Sequence, residues 1–313
     1  MEDVRWGIDD WRQLMSEQQK AVLDATLRQR PFDLSGDLAA LRSGFEEVMR
    51  HIPIADDVRK SHIDLGGVGA VEVAIDGIDS TNVILYFHGG VYVIGSADAT
   101  VPLVADLSRR SKVKVVSVDY RLAPENPYPA AVEDARTAYE GLLSQGVEPN
   151  NIAFAGESAG AGLAVALLLA LRDAEMPMPS SAFLMSPYVD LTLSGNTIVD
   201  KRDVDPLFTE DVLRMRVSDY VARADPSNPF ISPVFGDLNG LPPLLIQVGS
   251  HELLLSDAIR LAERAAEDDV AVVLEVTPGV PHVFQGYAAF LDEGDAALNR
   301  AAAFFTVHFS KRR

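Results

Sequence analysis

The sequence lacks cysteine entirely and is poor in positive charge. Without cysteine, disulfides, thiolate catalysis and Cys-ligated zinc are excluded, and a reducing cytoplasm is the compartment that fits best. Lys and Arg together number 27 against 46 Asp and Glu, which gives a net charge of −19. Such an excess of negative charge repels a phosphate backbone, so we expect no nucleic-acid partner.

Long apolar runs are also missing. The longest, AGAGLAVALLLAL at residues 159–171, is too short to span a bilayer and predicts a buried helix instead. The N-terminal segment MEDVRWGIDDWRQ is acidic and lacks the apolar centre of a secretory signal. We therefore expect a cytoplasmic protein with no membrane partner. Hydrophobic residues still make up 48% of the 313 residues, enough for one large core or two smaller domains.

From residue 71 onward, short segments rich in Val and Ile alternate with helical segments. The strand candidates are VEVAI, NVILYFH, VKVVSVDY, NIAFAG, SAFLMSP, PPLLIQVG and AVVLEVTPG. Strands that alternate with helices are typical of a mostly parallel sheet covered by helices on both faces. The sequence therefore predicts an α/β fold.

Two stretches fall outside this alternation. Residues 1–60 precede any strand candidate and read as helical. Their clearest apolar helix face consists of Leu38, Leu41, Phe45, Val48 and Met49. About fifty residues separate SAFLMSP from PPLLIQV, too many for a simple crossover. They include a predicted helix, TEDVLRMRVSDYV, with Thr209 as its expected N-cap, and an insertion of this size often forms a lid.

The segment NIAFAGESAGAGLAVALLLAL runs from a strand into a helix through a glycine-rich turn, and two chemistries fit it. A G-x-S-x-G nucleophile elbow would strain Ser158 between Gly156 and Gly160 and expose its hydroxyl at a helix N-terminus. A nucleotide turn would use Gly156, Gly160 and Gly162 to approach a pyrophosphate, as in short-chain dehydrogenases. The dehydrogenase interpretation also expects a Tyr followed four residues later by Lys, and none of the eight tyrosines has this partner. The elbow is therefore favoured.

An elbow serine needs an oxyanion hole from an earlier loop, then an acid, then a histidine, in this chain order. In ILYFHGGVYVIG, Gly89 and Gly90 follow a strand upstream of Ser158, where their N–H groups can face an oxyanion. A plain glycine turn is the alternative interpretation of this segment. We expect His88 to orient the loop through hydrogen bonds.

The order of the elements favours one histidine as the base. In TPGVPHVFQ, His282 lies in a loop just beyond the last strand candidate, from which an imidazole can reach the elbow. His51 and His62 precede the predicted sheet and His308 lies in a C-terminal helix, so structural roles are expected for these three.

Several segments stand together in the order and near the spacing of a known family. They are FHGGVYVIGS, VDYRLAPENPYPAA, GESAGAGLA, SPYVDLTLSG and PHVFQGY. In this combination the chain resembles the bacterial hormone-sensitive-lipase-like esterases, and it looks closest to the branch that includes heroin esterase and monoterpene ε-lactone hydrolases. The resemblance implies a serine carboxylic-ester hydrolase of the α/β-hydrolase fold, with a mostly parallel eight-stranded sheet flanked by helices. It also implies a catalytic domain of residues 61–190 and 235–313 and a helical cap of residues 1–60 and 191–234.

The resemblance further indicates the acid. After the strand LLIQVG the relatives carry an acid-rich turn, and Glu252 stands at the matching position. Asp190 and Asp257 are the alternatives, although Asp257 would lie inside a helix, where its charge suits the first turn. His251 precedes the acid, but Leu255 stands where the zinc pattern H-E-x-x-H needs its second histidine. We therefore expect neither a metal nor a cofactor.

Two positions depart from the family pattern. Val91 replaces the third glycine of the usual His-Gly-Gly-Gly. Its N–H can still donate, but its side chain would narrow the acyl pocket or restrict the loop. Glu157 stands where many relatives have Asp or Thr, and we expect it to fix the elbow rather than to transfer a proton.

The predicted reaction is two-step acyl transfer on short- to medium-chain esters. The predicted site consists of the triad Ser158, Glu252 and His282 and an oxyanion hole formed by Gly89, Gly90 and Ala159. Tyr92 and Phe208 are candidates for the acyl pocket, with core packing as the alternative for each. A lactone hydrolase with the same triad is the second hypothesis, and a non-catalytic ligand-binding member of the fold is the third. A small-molecule ester is the expected partner. Both a monomer and a homodimer are compatible with the sequence.

Overall fold

The computed structural model describes residues 8–29 and 34–310. Its strands are β1 (Val58–Leu65), β2 (Val68–Ile75), β3 (Val83–Phe87), β4 (Lys114–Val118), β5 (Ile152–Glu157), β6 (Ala182–Met185), β7 (Leu244–Gly249) and β8 (Val272–Thr277). Its α-helices within these ranges are α1 (Ile8–Gln29), α2 (Leu38–Arg50), α3 (Val101–Ser111), α4 (Ala130–Ser144), α5 (Ala159–Asp173), α6 (Thr197–Asp200), α7 (Glu210–Val221), α8 (Leu255–Glu267) and α9 (Asp292–Ser310).

The strands form one eight-stranded sheet in the order β1-β2-β4-β3-β5-β6-β7-β8. Strand β2 pairs antiparallel with both β1 and β4. Every pairing from β4 through β3 to β8 is parallel. The predicted mostly parallel, eight-stranded α/β architecture is confirmed.

Strand β1 is the one that the sequence pattern does not predict. It begins at Val58, inside the range 1–60 expected to be helical, and it contains His62, expected to precede the sheet. Both expectations are wrong at these positions. Because β1 lies at the edge of the sheet, most of its side chains are exposed and polar, and the apolar alternation that identifies a strand is missing.

Apolar side chains fill both faces of the sheet. Helices α4, α5 and α8 contribute Leu142, Leu168 and Leu261 to the core on one face. Helices α3 and α9 contribute Val104 and Phe305 to the core on the other face. The run predicted to be a buried helix is α5, whose residues 159–169 are all buried. None of the described helices is both long and apolar enough to cross a membrane.

Helix α2 turns its predicted apolar face toward the protein only in part. Leu38, Leu41 and Phe45 pack against the main core. Val48 is 63% exposed, so only part of this apolar face is buried. Arg42 of the same helix donates hydrogen bonds to the carbonyl oxygens of Val93 and Ala123, which attach α2 to the segments that follow β3 and β4.

Buried Arg216 of α7 joins the insertion to the segment before α2. Its guanidinium donates to the carbonyl oxygens of Leu34 and Gly36. Helix α7 begins as predicted, because the side chain of Thr209 accepts a hydrogen bond from the N–H of Val212.

Two glycines inside helices give a matched test of how closely α5 packs. A Cβ atom at Gly160 of α5 would overlap the carbonyl oxygen of Phe87, whereas a Cβ at Gly44 of α2 would have no atom within 4 Å. We expect Gly160→Ala to lower the free energy of unfolding by at least about 2 kcal/mol or to abolish soluble expression. Gly44→Ala should raise it by about 0.5–1 kcal/mol, because alanine favours a helix.

Urea unfolding followed by circular dichroism measures both effects. Equal stability of the two variants would contradict the close approach of α5 to β3.

Candidate active site

Four parallel strands deliver polar residues to one edge of the sheet. Ser158 follows β5, Ser186 follows β6, Glu252 lies just past β7, and His282 lies in the loop after β8. The strands are adjacent in this order, and their ends lie within two residues of one another in the register, as in the pairings of Glu157 with Met185 and of Gly249 with Thr277. Because carboxyl ends of parallel strands open on the same edge, these side chains converge where α/β sheets bind ligands.

Ser158 occupies a strained turn between β5 and α5. Its φ of 53° and ψ of −121° lie outside the usual regions for a residue with a side chain. Small neighbours make the turn feasible, since a Cβ at Gly156 would overlap the backbone of Gly160. A Cβ at Gly162 would overlap the carbonyl oxygen of Tyr188, so the third glycine of the nucleotide-turn interpretation accommodates the protein's own backbone. The geometry is that of a nucleophile elbow.

His282 and Glu252 form a buried pair. The Nδ1 atom of His282 lies 2.6 Å from Oε2 of Glu252, whose side chain is completely buried. The other carboxylate oxygen accepts hydrogen bonds from the Gly249 N–H at 2.6 Å and from the Ser186 hydroxyl at 2.9 Å. The Ser186 hydroxyl in turn accepts one from the N–H of Val283. Sequence reasoning missed Ser186, whose only signal is its position directly after a strand.

The other ring nitrogen of His282 is Nε2. Within the described part of the chain, Nε2 is buried and has no hydrogen-bond partner. With Nδ1–H donated to a carboxylate, the neutral imidazole presents Nε2 as a proton acceptor.

The ring of Phe208, from the insertion, packs edge-on against His282 with centroids 4.9 Å apart. Tyr92, the other pocket candidate, stacks on Tyr220 at 3.8 Å, which favours the packing alternative for Tyr92.

The glycine loop after β3 corrects one predicted oxyanion donor. The N–H of Gly89 donates to Oε1 of Glu157 at 3.1 Å, so it is already engaged. Among the described residues, the N–H groups of Gly90 and Ala159 have no protein acceptor within hydrogen-bond distance. The glycine motif alone indicated Gly89 as a donor. The motif gives no sign that the side chain of Glu157 accepts a hydrogen bond from this N–H. Val91 adopts a φ of 48°, a strained value for a β-branched residue.

His88 and Tyr120 hold this loop in place. The Nδ1 atom of His88 lies 2.7 Å from the carbonyl oxygen of Gly89, and the His88 ring stacks on Tyr120 with centroids 4.2 Å apart. The Tyr120 hydroxyl donates to the backbone carbonyl of His88. The expectation that His88 orients the loop is confirmed. Burial lowers the pKa of His88, so its imidazole stays neutral near pH 7.

Comparison with known proteins agrees with this geometry. Residues 84–286 match the family model described as the alpha/beta hydrolase fold. The chain belongs to the α/β-hydrolase family. It is 37% identical to an esterase of Acinetobacter venetianus over 95% of this chain and 96% of that protein. It is 44% identical to an acetyl-hydrolase of Streptomyces hygroscopicus over 71% of this chain and 74% of that protein.

Solved structures extend the likeness to three dimensions. The hormone-sensitive-lipase homologue EstE7 from a metagenome library superposes with a TM-score of 0.88 at 40% identity, covering 93% of this chain and 99% of that one. An esterase of the bacterial hormone-sensitive lipase family gives a TM-score of 0.89 at 35% identity, over 94% and 99%. The predicted resemblance to bacterial hormone-sensitive-lipase-like esterases is confirmed.

In this α/β-hydrolase the rival acids are engaged elsewhere. Asp257, in the first turn of α8 as expected, accepts hydrogen bonds from the N–H groups of Val189 and Asp190, both at 2.9 Å. Asp190 accepts from Thr192 and Ser194 and pairs with Arg260 at 2.5 Å. These contacts hold the loop after β6 against α8, and of the three candidate acids it is Glu252 whose carboxylate contacts His282.

Three of the other histidines lie away from this site. His62 in β1 contacts Asp98 at 2.8 Å, His51 ends α2, and His308 lies in α9. His251 is partly buried, and burial together with the charge of Lys201 lowers its pKa.

Asp257 also makes the stability of the fold depend on pH. Burial and the neighbouring charge of Asp190 raise its pKa from 3.8 to about 8. Since the folded chain then holds a proton that the unfolded chain releases, folding stability falls as the pH rises from about 4 to 8. We expect Asp257→Asn to gain stability relative to the wild type across this window.

Urea unfolding at pH 5 and pH 8 tests this slope. Exposed Asp225 is the control, because hydrogen bonds from Ser227 lower its pKa and keep it ionised over this range, so Asp225→Asn should parallel the wild type. Parallel lines for all three proteins would show that Asp257 is ionised throughout.

Proposed function

We propose that this α/β-hydrolase is a carboxylic-ester hydrolase with Ser158 as nucleophile, His282 as general base and Glu252 as the acid that orients it. The observation that carries the proposal is the buried His282–Glu252 contact at 2.6 Å, with Nε2 unpartnered among the described residues. The strained elbow at Ser158, at the end of the neighbouring strand β5, supports it. Similarity to an esterase over 95% of the chain supports ester hydrolysis as the reaction.

In the proposed reaction, Ser158 attacks the ester carbonyl while Nε2 of His282 accepts its proton. The carbonyl oxygen becomes an oxyanion, and the N–H groups of Gly90 and Ala159 donate to it. The imidazolium, stabilised by Glu252, then protonates the departing alcohol, which leaves Ser158 acylated. A water activated by His282 attacks the acyl-enzyme and releases the acid.

The substrate we propose is a short- to medium-chain ester. Ser158 and His282 are only 4% and 5% exposed, and Phe208 covers the imidazole, so the space for an acyl chain is restricted. We propose that residues 8–29, 34–57 and 191–234 form the cap over this space, which the bonds from Arg216 to Leu34 and Gly36 support. Residues 1–7 and 30–33 of the predicted cap lie outside the described residues. A cytoplasmic location stays a prediction.

Replacement of the nucleophile tests the mechanism. We expect Ser158→Ala to lower the kcat on p-nitrophenyl butyrate by at least about 10⁴-fold. Ser108→Ala is the matched control, because Ser108 is buried on the other face of the sheet and its hydroxyl has no partner in the described residues. Its activity should equal that of the wild type, and full activity of Ser158→Ala would refute the mechanism.

The same assay defines the substrate. Acetyl, butyryl, octanoyl and palmitoyl esters should give a maximum at the short or middle lengths, and a maximum at palmitoyl would contradict the proposal. Faster turnover of lactones than of open esters would favour the lactone-hydrolase alternative. Failure of a fluorophosphonate probe to label Ser158 would favour a ligand-binding protein.

Glu157 separates a positioning role from proton transfer. Its carboxylate accepts hydrogen bonds from the Gly89 N–H and the Tyr86 hydroxyl, and burial raises its pKa. In Glu157→Gln, the amide oxygen can still accept from Gly89, and the Tyr86 hydroxyl can turn to accept from the amide. We expect this variant to keep most of the wild-type kcat.

Glu157→Ala leaves the Gly89 N–H and the Tyr86 hydroxyl unpaired and lets the glycine loop after β3 shift. We therefore expect kcat to fall by about tenfold to 100-fold. Equal losses in the Gln and Ala variants, measured on p-nitrophenyl butyrate, would indicate that Glu157 transfers a proton.

A further inference from the structure

The insertion contacts the turn that carries the proposed acid, here called the acid turn (residues 250–254). Asp205, between α6 and α7, is 5% exposed. Its Oδ2 accepts a hydrogen bond from the N–H of Leu253 at 2.8 Å. Its Oδ1 accepts from the N–H groups of Leu207 at 2.7 Å and Phe208 at 3.0 Å. One buried carboxylate therefore binds the acid turn and the segment that packs on His282.

A second residue of the insertion holds the acid turn from its other side. The hydroxyl of Thr197 in α6 donates to the carbonyl oxygen of Leu253 at 2.6 Å and accepts from the N–H of Ser256 at 2.9 Å. Both polar backbone groups of Leu253 are thus bonded to the insertion. Leu253 is fully buried and directly follows Glu252. The position of its backbone therefore fixes the position of the Glu252 backbone, from which the carboxylate extends.

The cost of burying Asp205 shows that these bonds matter to the fold of this region. A buried carboxylate is unfavourable unless donors replace its water, and here the three backbone N–H groups do so. All three belong to segments that touch the His282–Glu252 pair. A shift of the insertion would break these bonds and move both partners of the pair.

We propose that Asp205 is a positioning residue, which transmits the docking of the insertion to Glu252 and His282 through the N–H groups of Leu253 and Phe208. The inference rests on the proposed function. It assigns to the insertion a role in aligning the triad in addition to covering it.

Asp205→Asn tests the inference with little change in shape. The amide oxygen can still accept from Leu207 and Phe208, while the amide nitrogen places a donor against the N–H of Leu253. Phe208 should therefore keep its packing against His282, and the acid turn should shift. We expect kcat on p-nitrophenyl butyrate to fall about tenfold to 100-fold, because small misplacements of a catalytic pair are costly. KM should stay near its wild-type value.

Asp225→Asn is the control, since it makes the same change in the same insertion. Asp225 is exposed and its side chain bonds only within its own turn, to Ser227. It should keep the wild-type kcat and KM. A higher KM with an unchanged kcat in Asp205→Asn would overturn the inference. Equal kcat values for Asp205→Asn and Asp225→Asn would also overturn it.

Thr197→Val decides the matter if Asp205→Asn does not fold. This isosteric change removes the bond to the Leu253 carbonyl, and kcat should again fall with KM preserved. An unchanged kcat in a folded Thr197→Val protein would overturn the inference. Inactive wild-type protein would instead contradict the proposed function, whereas active wild type with inactive Ser158→Ala leaves that function standing whatever Asp205→Asn does.

Discussion

The carboxylate of Glu252 lies fully buried beyond the end of β7, and a buried charge is stable only where donors surround it. Its donors are the N–H of Gly249, the hydroxyl of Ser186 and the ring of His282. Gly249 ends β7, Ser186 follows β6 and His282 follows β8, so the three donors meet only when these strands are in register. Folding of this half of the sheet and orientation of the His282 imidazole therefore both require the correct register of β6, β7 and β8.

Close packing imposes the second constraint, at the other end of the site. Helix α5 approaches β3 so closely that Gly160 has no room for a side chain, and Gly162 lies against the backbone of Tyr188. This approach brings the N-terminus of α5, and with it Ser158 and the N–H of Ala159, beside the glycine loop after β3. The glycine spacing that also suits a nucleotide turn is thus explained by packing around a serine.

The sequence predicts best those features that depend on local pattern or chain order. The parallel strands, the elbow at Ser158 and the loop position of His282 follow from periodicity and motif, and the resemblance to the family adds Glu252. The edge strand β1 escapes prediction because its exposed residues lack alternation. Gly89 is misassigned because its N–H is bonded by Glu157, 68 residues away, and the sequence carries no trace of that contact.

Residues that act through tertiary contacts are hidden for the same reason. Ser186 is a single serine after a strand, and Asp205 is one of many acids in a chain with 46 Asp and Glu. Neither has a neighbour in sequence that marks it. Each is identified by burial together with the partners it binds, and both conditions are set by the fold.

These contacts also restrict how the site can open. An insertion that acted as a freely swinging lid would have few polar bonds to the loops beneath it. Here Asp205 and Thr197 bind both backbone groups of Leu253, and Tyr220 stacks on Tyr92, which follows the glycine loop after β3. Lifting the insertion as one body would expose the Asp205 carboxylate and release the acid turn. A motion that admits substrate and keeps Glu252 in place must therefore leave residues 197–208 docked.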